Sequence, residues 1–373
     1  MENRTRVVVL FGGISNEHTI SCISAGSVLR EIDQTKFEPI PVGITQAGEW
    51  VPIELSSPLL AMTAAQEPVV QATSQSVQLV SVAGQPTLEI SDQDSVVSIP
   101  VDVVFPVLHG TYGEDGTIQA ILESAGVPYV GSGVFASAAC MDKAYLKTIL
   151  YEAGFSVGQY EVITDEQWQS DFDGSIARVN QLTYPLFVKP CRAGSSVGIS
   201  KVKSPSDLVV AIEAARIHDP KVIIEAGLEN AREIECGVLD SPTGPRASVC
   251  AEIVVQGKHE FYDYEAKYLD DSAQLIVPAQ LPESIHQQAQ ELATSVFTMM
   301  DCAGLARVDL FLVANELIVN EVNTMPGFTA ISMFPRMWAQ SGIEYPNLID
   351  ELISDALRRG NNSSQLLGRS RDY

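Results

Sequence analysis

The chain has 373 residues, 46% of them hydrophobic and 19% charged, which is enough for two or three domains with sizeable cores. Its 23 Lys and Arg against 47 Asp and Glu leave a net charge of -24; nucleic acid and anionic membranes are excluded as partners, while a small anion is allowed wherever the few cations are focused. The 6 cysteines show no C-x-x-C spacing, so they read as reduced, buried thiols of a cytoplasmic protein, and no apolar run suits a signal peptide or a membrane span.

Residues 6–11, Arg-Val-Val-Val-Leu-Phe, read as a buried parallel strand, and Gly12-Gly13-Ile-Ser-Asn-Glu17-His18 leads into a helix reaching about Arg30. Ligands of open α/β sheets gather at the carboxyl ends of strands. Glu17 and His18 therefore stand where a small ligand could meet them, although an acidic residue also simply suits a helix N-terminus. Residues 49–100 are short strands and loops that decorate this first domain. Residues 101–108 form another buried strand, ending in His109-Gly-Thr-Tyr-Gly-Glu114-Asp-Gly116. A plain turn would need these glycines but not His109 and Glu114 as well. Gly131-Ser-Gly133-Val-Phe-Ala136 fits a dinucleotide-binding fingerprint, yet the acidic residue expected about 20 positions on is Glu152, inside a helical run over 143–153. NAD binding is discounted on that ground.

A second domain opens near residue 140. The strand over 185–188 runs into Lys189-Pro-Cys-Arg-Ala-Gly194-Ser195-Ser196-Val-Gly198, where backbone N–H groups can form an anion nest and Lys189 adds a point charge. The bland alternative is an ordinary Gly/Ser turn. After a strand over 199–202, Ser204-Pro caps a helix to about Arg216. The strand over 222–225 ends at Glu225 and passes through a linker to Glu233, as an interdomain hinge presenting backbone to a purine would. Strands near 248–255 precede Phe261-Tyr-Asp-Tyr-Glu-Ala-Lys267-Tyr268, which is too polar for a core strand and suits a lid. Pro282 opens an amphipathic helix whose Ile285, Ala289, Leu292, Ala293, Val296 and Met300 are core.

Two strands follow. Ala306, Val308, Leu310 and Leu312 alternate with Arg307, Asp309 and Phe311; in the second strand Glu321 and Asn323 share a face. A loop of Ala314, Asn315 and Glu316 would set Val313 opposite Leu317 and Asp309 opposite Glu321. Like charges so placed repel, by roughly 4 kcal/mol at about 4 Å and an effective dielectric near 20. Arg307 on the same face cannot easily satisfy both carboxylates. A hard cation such as Mg²⁺, held by Asp309, Glu321 and the Asn323 amide oxygen, can; the bland reading is a solvated hairpin face. A helix over 347–358 and a polar, unstructured tail over 361–373 close the chain.

Taken together these stretches resemble the ATP-grasp superfamily, and within it the D-alanine:D-alanine ligase family. The matching runs are Gly12-Gly13 with Glu17-His18, His109-Gly with Gly113-Glu-Asp-Gly, Met141-Asp-Lys143, Lys189-Pro with Gly194-Ser-Ser-Val-Gly198, Tyr264-Glu-Ala-Lys-Tyr268, Arg307-Val-Asp309, and Glu321-Val-Asn323-Thr-Met-Pro-Gly327. They fall in family order over residues 11–333. The resemblance implies a three-domain α/β architecture, α+β in its ATP-grasp part: an N-terminal open parallel-sheet substrate domain (1–139), a central subdomain (140–229), a C-terminal subdomain with lid and metal site (230–360), and the tail.

It also implies two D-alanines joined by way of a D-alanyl phosphate, with ATP consumed, for peptidoglycan synthesis. Asp309, Glu321 and Asn323 would hold two Mg²⁺ ions, or Mn²⁺ in their place. Lys143, Lys189, Lys267 and Ser196 would meet the phosphates, with Asn320 at the same nucleotide site. Glu225, Ala226, Leu228 and Glu233 would hold adenine and ribose. Glu17 would receive the first ammonium and join Ser195 and Tyr268 in shutting the lid, with His109 nearby. Arg307 and the Gly327 N–H would form the oxyanion site, and Ser332 and Met333 would bind the second D-alanine. A homodimer through the first domain is implied likewise. Relatives that accept D-lactate or D-serine, a carboxylase-type enzyme and a silent nucleotide-binding regulator are the competing readings; Tyr268 and Met333 favour D-alanine, and the full charge set disfavours a silent binder. The loop at Ile14-Ser15-Asn16 lacks the basic residue that family members often carry, and one extra residue lies between Glu225 and Glu233.

Overall fold

The computed structural model describes residues 4–93, 95–195, 197–255 and 273–366. Strand β1 (Thr5–Gly12) lies parallel to β2 (Phe37–Ile44) on one side and to β7 (Val103–Pro106) on the other, with β3 (Trp50–Pro52) antiparallel at the edge of β2. A central parallel strand is covered on both faces, and the sequence of β1 is apolar for that reason. Val7, Val9 and Phe11 pack with Cys22, Ala25 and Val28 of α1 (His18–Glu31), while Val8 and Leu10 pack with Ile118 and Leu122 of α2 (Thr117–Ala125). The decorating strands β4 (Ser76–Val82), β5 (Gln85–Asp92) and β6 (Ser95–Pro100) form an antiparallel meander of their own. The run over 127–130 makes only a single bridge, Val104 to Tyr129, instead of a strand.

Helices α3 (Val134–Met141) and α4 (Lys143–Glu152) lead into a second sheet. It is antiparallel, in the order β10 (Ser200–Val202), β9 (Leu186–Pro190), β11 (Val222–Ala226), β8 (Tyr160–Ile163). Helix α5 (Asp165–Ser170) and α6 (Phe172–Val179) follow β8, and α7 (Leu208–Arg216) lies on the sheet. Ser204 introduces a 3₁₀ turn, Pro205–Asp207, before α7 starts.

The third sheet is antiparallel in the order β14 (Ala273–Ile276), β13 (Arg246–Val255), β12 (Arg232–Leu239), β15 (Leu305–Val313), β16 (Glu316–Asn323). Helix α8 (Glu283–Met299) covers one face, burying Ile285, Ala289, Ala293 and Val296 against Val308 and Leu310. Burial of each large aliphatic is worth about 1.5–3 kcal/mol. Beyond β16, α9 (Met333–Gln340) and α10 (Tyr345–Leu366) bring the chain back to the first sheet, where Leu348, Ile349 and Leu352 join the core around Phe11 and Phe105. The last helix thus runs past the expected end at Arg358 and takes in residues 361–366, whose polar sequence predicts an unstructured tail.

The final hairpin differs from expectation in its turn and in the register beside it, where Val313 does not face Leu317, and agrees at Asp309 opposite Glu321. Ala314 and Asn315 both have positive φ, 47° and 73°, so the turn is the two-residue mirror-image type that matches strand twist, and Val313 pairs with Glu316. Leu310 accordingly pairs with Val319. A bulge then absorbs Asn320, which offsets the shorter turn and restores the expected pairing of Asp309 with Glu321.

Candidate active site

The carboxyl ends of β1 and β7, the loop after β9, the end of β11 and the floor formed by β12, β15 and β16 surround one cavity of about 1620 Å³. Glu17 precedes α1 at the N-cap position, but its carboxylate caps nothing. It turns across the cleft and accepts a hydrogen bond from the Ser195 hydroxyl. The glycines around it leave the necessary room: a Cβ on Gly110 would lie 2.5 Å, and one on Gly194 2.6 Å, from Glu17 Oε2. His18 plays a structural part, donating from Nδ1 to the Gly13 carbonyl at 2.6 Å and accepting at Nε2 from the Val70 N–H at 2.9 Å.

His109 and Glu114 join the first sheet to the loop after β16. The His109 Nδ1–H donates to the Met325 carbonyl at 3.0 Å, and its Nε2 accepts from Ser24 Oγ at 3.0 Å. Burial holds this imidazole below its ordinary pKa, as the neutral tautomer that those two bonds require. Glu114 accepts from the Gly110 N–H at 2.8 Å and the Met325 N–H at 3.1 Å. Burial, then the Glu17 charge, push the Glu114 carboxyl up to about 8.

On the second-sheet side of the cavity Lys143, first residue of α4, donates to the Ala193 carbonyl at 2.9 Å and stands 3.9 Å from Glu321. Lys189 on β9 is 2.5 Å from Glu225 Oε2. Burial acts against the Lys189 charge, but Glu225 outweighs it and the pKa is raised. The other Glu225 oxygen is 2.7 Å from Lys147, a buried residue one helical turn beyond Lys143 that no sequence motif singles out. Ala226, Leu228, Glu233 and Asn320 line the same wall.

On the floor, Arg307 grips Asp309 with two parallel bonds, Nε to Oδ1 and Nη2 to Oδ2, both 2.7 Å. Glu235 on β12, likewise outside every sequence motif, stands 3.3 Å from the same guanidinium. Burial opposes the Arg307 charge and these two carboxylates restore it, holding the pKa well above its ordinary value. Asn323 Nδ2 donates to Asp309 Oδ2 at 3.0 Å. Arg307 and Lys143 thus each attend one of the facing carboxylates. Two carboxylates and an amide on one sheet face form a hard-oxygen donor set, which fits a divalent cation of the Mg²⁺ type. Gly327 packs against Ser332, and Ser332 and Met333 begin α9 at the cavity wall. Apart from His18, every expected site residue among the described ones lines this cavity; Ser196, Lys267 and Tyr268 lie outside the described residues.

Residues 6–132 match the family model of the D-ala D-ala ligase N-terminus, and residues 149–354 that of the D-ala D-ala ligase C-terminus. A D-alanine–D-alanine ligase of Mycobacterium avium (strain 104) is 49% identical over 365 residues, covering 96% of this chain and 98% of that protein. One from Arthrobacter sp. (strain FB24) is 49% identical over 363 residues, 95% of each. Among solved structures, the D-alanine-D-alanine ligase from Coxiella burnetii superposes with a TM-score of 0.82 at 32% identity, over 98% of this chain and 97% of that one. A D-Ala:D-Ser ligase from Enterococcus faecalis gives 0.82 at 35% identity, over 95% and 100%. The two antiparallel sheets closing on a cationic cleft above an acidic hairpin are those of an ATP-grasp ligase. The chain belongs to the D-alanine–D-alanine ligase family, whose members are ATP-using, ADP-forming and metal-dependent.

Proposed function

We infer that this chain joins two D-alanines in a reaction driven by ATP, releasing ADP and phosphate, in the supply of peptidoglycan precursors. The observation that carries the reading is that Lys143, Lys189, Glu17, Arg307, Asp309, Glu321 and Asn323 line a single cavity, which suits phosphates, an ammonium, an oxyanion and a hard cation together. Lys143 and Lys189 hold the ATP phosphates, with Ser196 and Lys267 assigned there by family resemblance. The backbone of Ala226 to Leu228 meets the adenine, with Glu225 behind it and Asn320 alongside, and Glu233 meets the ribose. Asp309, Glu321 and Asn323 would hold two Mg²⁺ ions, or Mn²⁺, which when bound neutralise phosphate charge.

Glu17 receives the ammonium of the first D-alanine, and the neutral His109 lies beside it. A carboxylate oxygen of that D-alanine attacks the γ-phosphorus, the bond to the ADP oxygen breaks, and D-alanyl phosphate forms. The second D-alanine, seated at Ser332 and Met333, attacks the activated carbonyl through its neutral amine. Arg307 and the Gly327 N–H take the developing oxyanion, and its collapse breaks the bond to phosphate, the nitrogen's surplus proton leaving with the departing phosphate so that the neutral peptide bond remains. Positioning and charge neutralisation suffice for such transfers, so no protein nucleophile is needed. Ser195 and Tyr268 close with Glu17 to keep water from the acyl phosphate. The architecture divides at about 139 and 229 into substrate, central and C-terminal parts, and the protein works in the cytoplasm as a homodimer through the first part.

The acyl phosphate is tested by isotope position. With D-alanine carrying ¹⁸O in its carboxylate, one labelled oxygen should appear in each phosphate released. Phosphate free of label would refute that intermediate.

A further inference from the structure

We propose that Lys147 is a positioning residue that supplies the missing charge of the phosphate site, by balancing Glu225 so that Lys189 keeps a net positive field for ATP. The inference rests on the reading above, in which Lys189 meets a phosphate. The geometry is a buried linear group of three: Lys147 Nζ 2.7 Å from Glu225 Oε1, and Lys189 Nζ 2.5 Å from Glu225 Oε2. The side chains are 3%, 9% and 15% exposed for Lys147, Glu225 and Lys189, so solvent screens little of their interaction.

Lys189 and Glu225 alone would make a neutral pair, which offers a triphosphate no net attraction. Adding Lys147 leaves the group with one positive charge. It also occupies the second carboxylate oxygen, so the Glu225 carboxylate cannot rotate away from Lys189 without leaving a buried ion unpaired. Lys147 sits one turn from Lys143 on α4, and the same helix therefore delivers both cations to one wall. Nothing in the reaction requires Lys147 to touch substrate; it acts through Glu225.

The test is steady-state kinetics on the full-length enzyme, varying ATP, with four variants. Lys147→Met should raise KM for ATP about tenfold, the scale of one unit charge removed at short range in a partly screened site, with kcat within about threefold of the parent. Lys147→Arg should stay near the parent. The double variant Lys147→Met/Glu225→Gln, which again leaves one positive charge and no unpaired carboxylate and keeps a side chain of the same shape behind the adenine, should bind ATP more tightly than Lys147→Met. A purely structural lysine would give a double variant no better than Lys147→Met, or raised tenfold or more over the parent, and either result overturns the inference; so does an unchanged KM in Lys147→Met. Because the double variant removes charge in a matched pair, it decides the question even if Lys147→Met alone fails to fold. Lys189→Met separates the two levels. If it leaves ATP binding intact, the phosphate assignment itself fails, and this inference with it.

Discussion

The Glu17 carboxylate accepts the Ser195 hydroxyl across the mouth of the cleft, and the absence of side chains at Gly110 and Gly194 is what lets it lie there. Two loops from different sheets are thereby fastened at one acidic group. A Cβ on Gly194 would stand 2.6 Å from that carboxylate, closer than real Cβ contacts allow, so Gly194→Ala must displace it. The variant should lose kcat/KM for D-alanine by about 10- to 100-fold, the scale of a hydrogen bond to a charged group, with KM for ATP little changed. Equal losses toward both substrates would remove Glu17 from the D-alanine site.

Arg307 is held by two carboxylates, Asp309 and Glu235, and lines the cavity. An oxyanion donor is worth about 3–4 kcal/mol, so Arg307→Ala should lose roughly 100- to 1000-fold in kcat while still binding ATP in a calorimetric titration. Near-normal turnover would place the oxyanion elsewhere. Arg307→Lys cannot reproduce the two parallel bonds to Asp309 and should recover little.

The facing carboxylates predict a metal dependence with a residue signature. Glu321→Gln and Asp309→Asn should each weaken Mn²⁺ binding by about tenfold or more, read from Mn²⁺ titration in the presence of a non-hydrolysable ATP analogue. Chelation by EDTA should abolish turnover and Mg²⁺ restore it. Unchanged Mn²⁺ affinity in both variants would dissolve the assignment of the hairpin as the metal site.

Glu114 and His109 predict how stability follows pH. The Glu114 carboxyl is raised from 4.5 to about 8, by burial first and the Glu17 charge second. The folded state therefore holds a proton that the unfolded chain has released, and stability falls as pH rises from about 4.5 toward 8. His109 is lowered from 6.5 by burial. Its contribution is present above about 6.5 and is lost as pH falls through its depressed folded value. Thermal melts across pH should show the alkaline decline flatten in Glu114→Gln. An identical decline in variant and parent would assign it to another group.

Part of this site is legible in the residues themselves, because Glu17, His109, Lys189 and Glu225 stand at strand ends where the fold makes its cleft, while Lys143, Gly327, Ser332 and Met333 are reached only through the family resemblance. The Glu17 position follows from a strand, a glycine pair and a helix start, and the structure shows the carboxylate turned away from the helix it precedes. The expectation of Asp309 opposite Glu321 rests on an assumed three-residue loop, and it holds because the bulge at Asn320 offsets the shorter turn. The turn beside them is not legible in the same way: Ala314-Asn315 lacks the glycine that usually announces a two-residue turn, and the compensating bulge at Asn320 carries no signal of its own in the local alternation of charge. Its trace is present in the buried Val319 and Val322, three apart where a regular strand face repeats every two. Lys147 is hidden for a different reason. A lysine four residues after another on a helix looks like a solvated face, and only the arrival of Glu225 from a distant strand makes it a buried ion pair. The last helix is anchored on the first sheet through Leu348, Ile349 and Leu352, within its expected span, while its extension through residues 361–366 has no counterpart in their polar sequence.

The most direct measurement is the ratio of phosphate released to dipeptide formed, with ATP, Mg²⁺ and D-alanine alone, and then with D-serine, D-lactate or L-alanine added, products identified by mass. One D-alanyl-D-alanine for each phosphate, with D-alanine as the preferred acceptor, is the predicted result. Phosphate without dipeptide, a mixed product formed in preference, or ATP bound and never turned over would contradict the assignment of this chain as a ligase of two D-alanines.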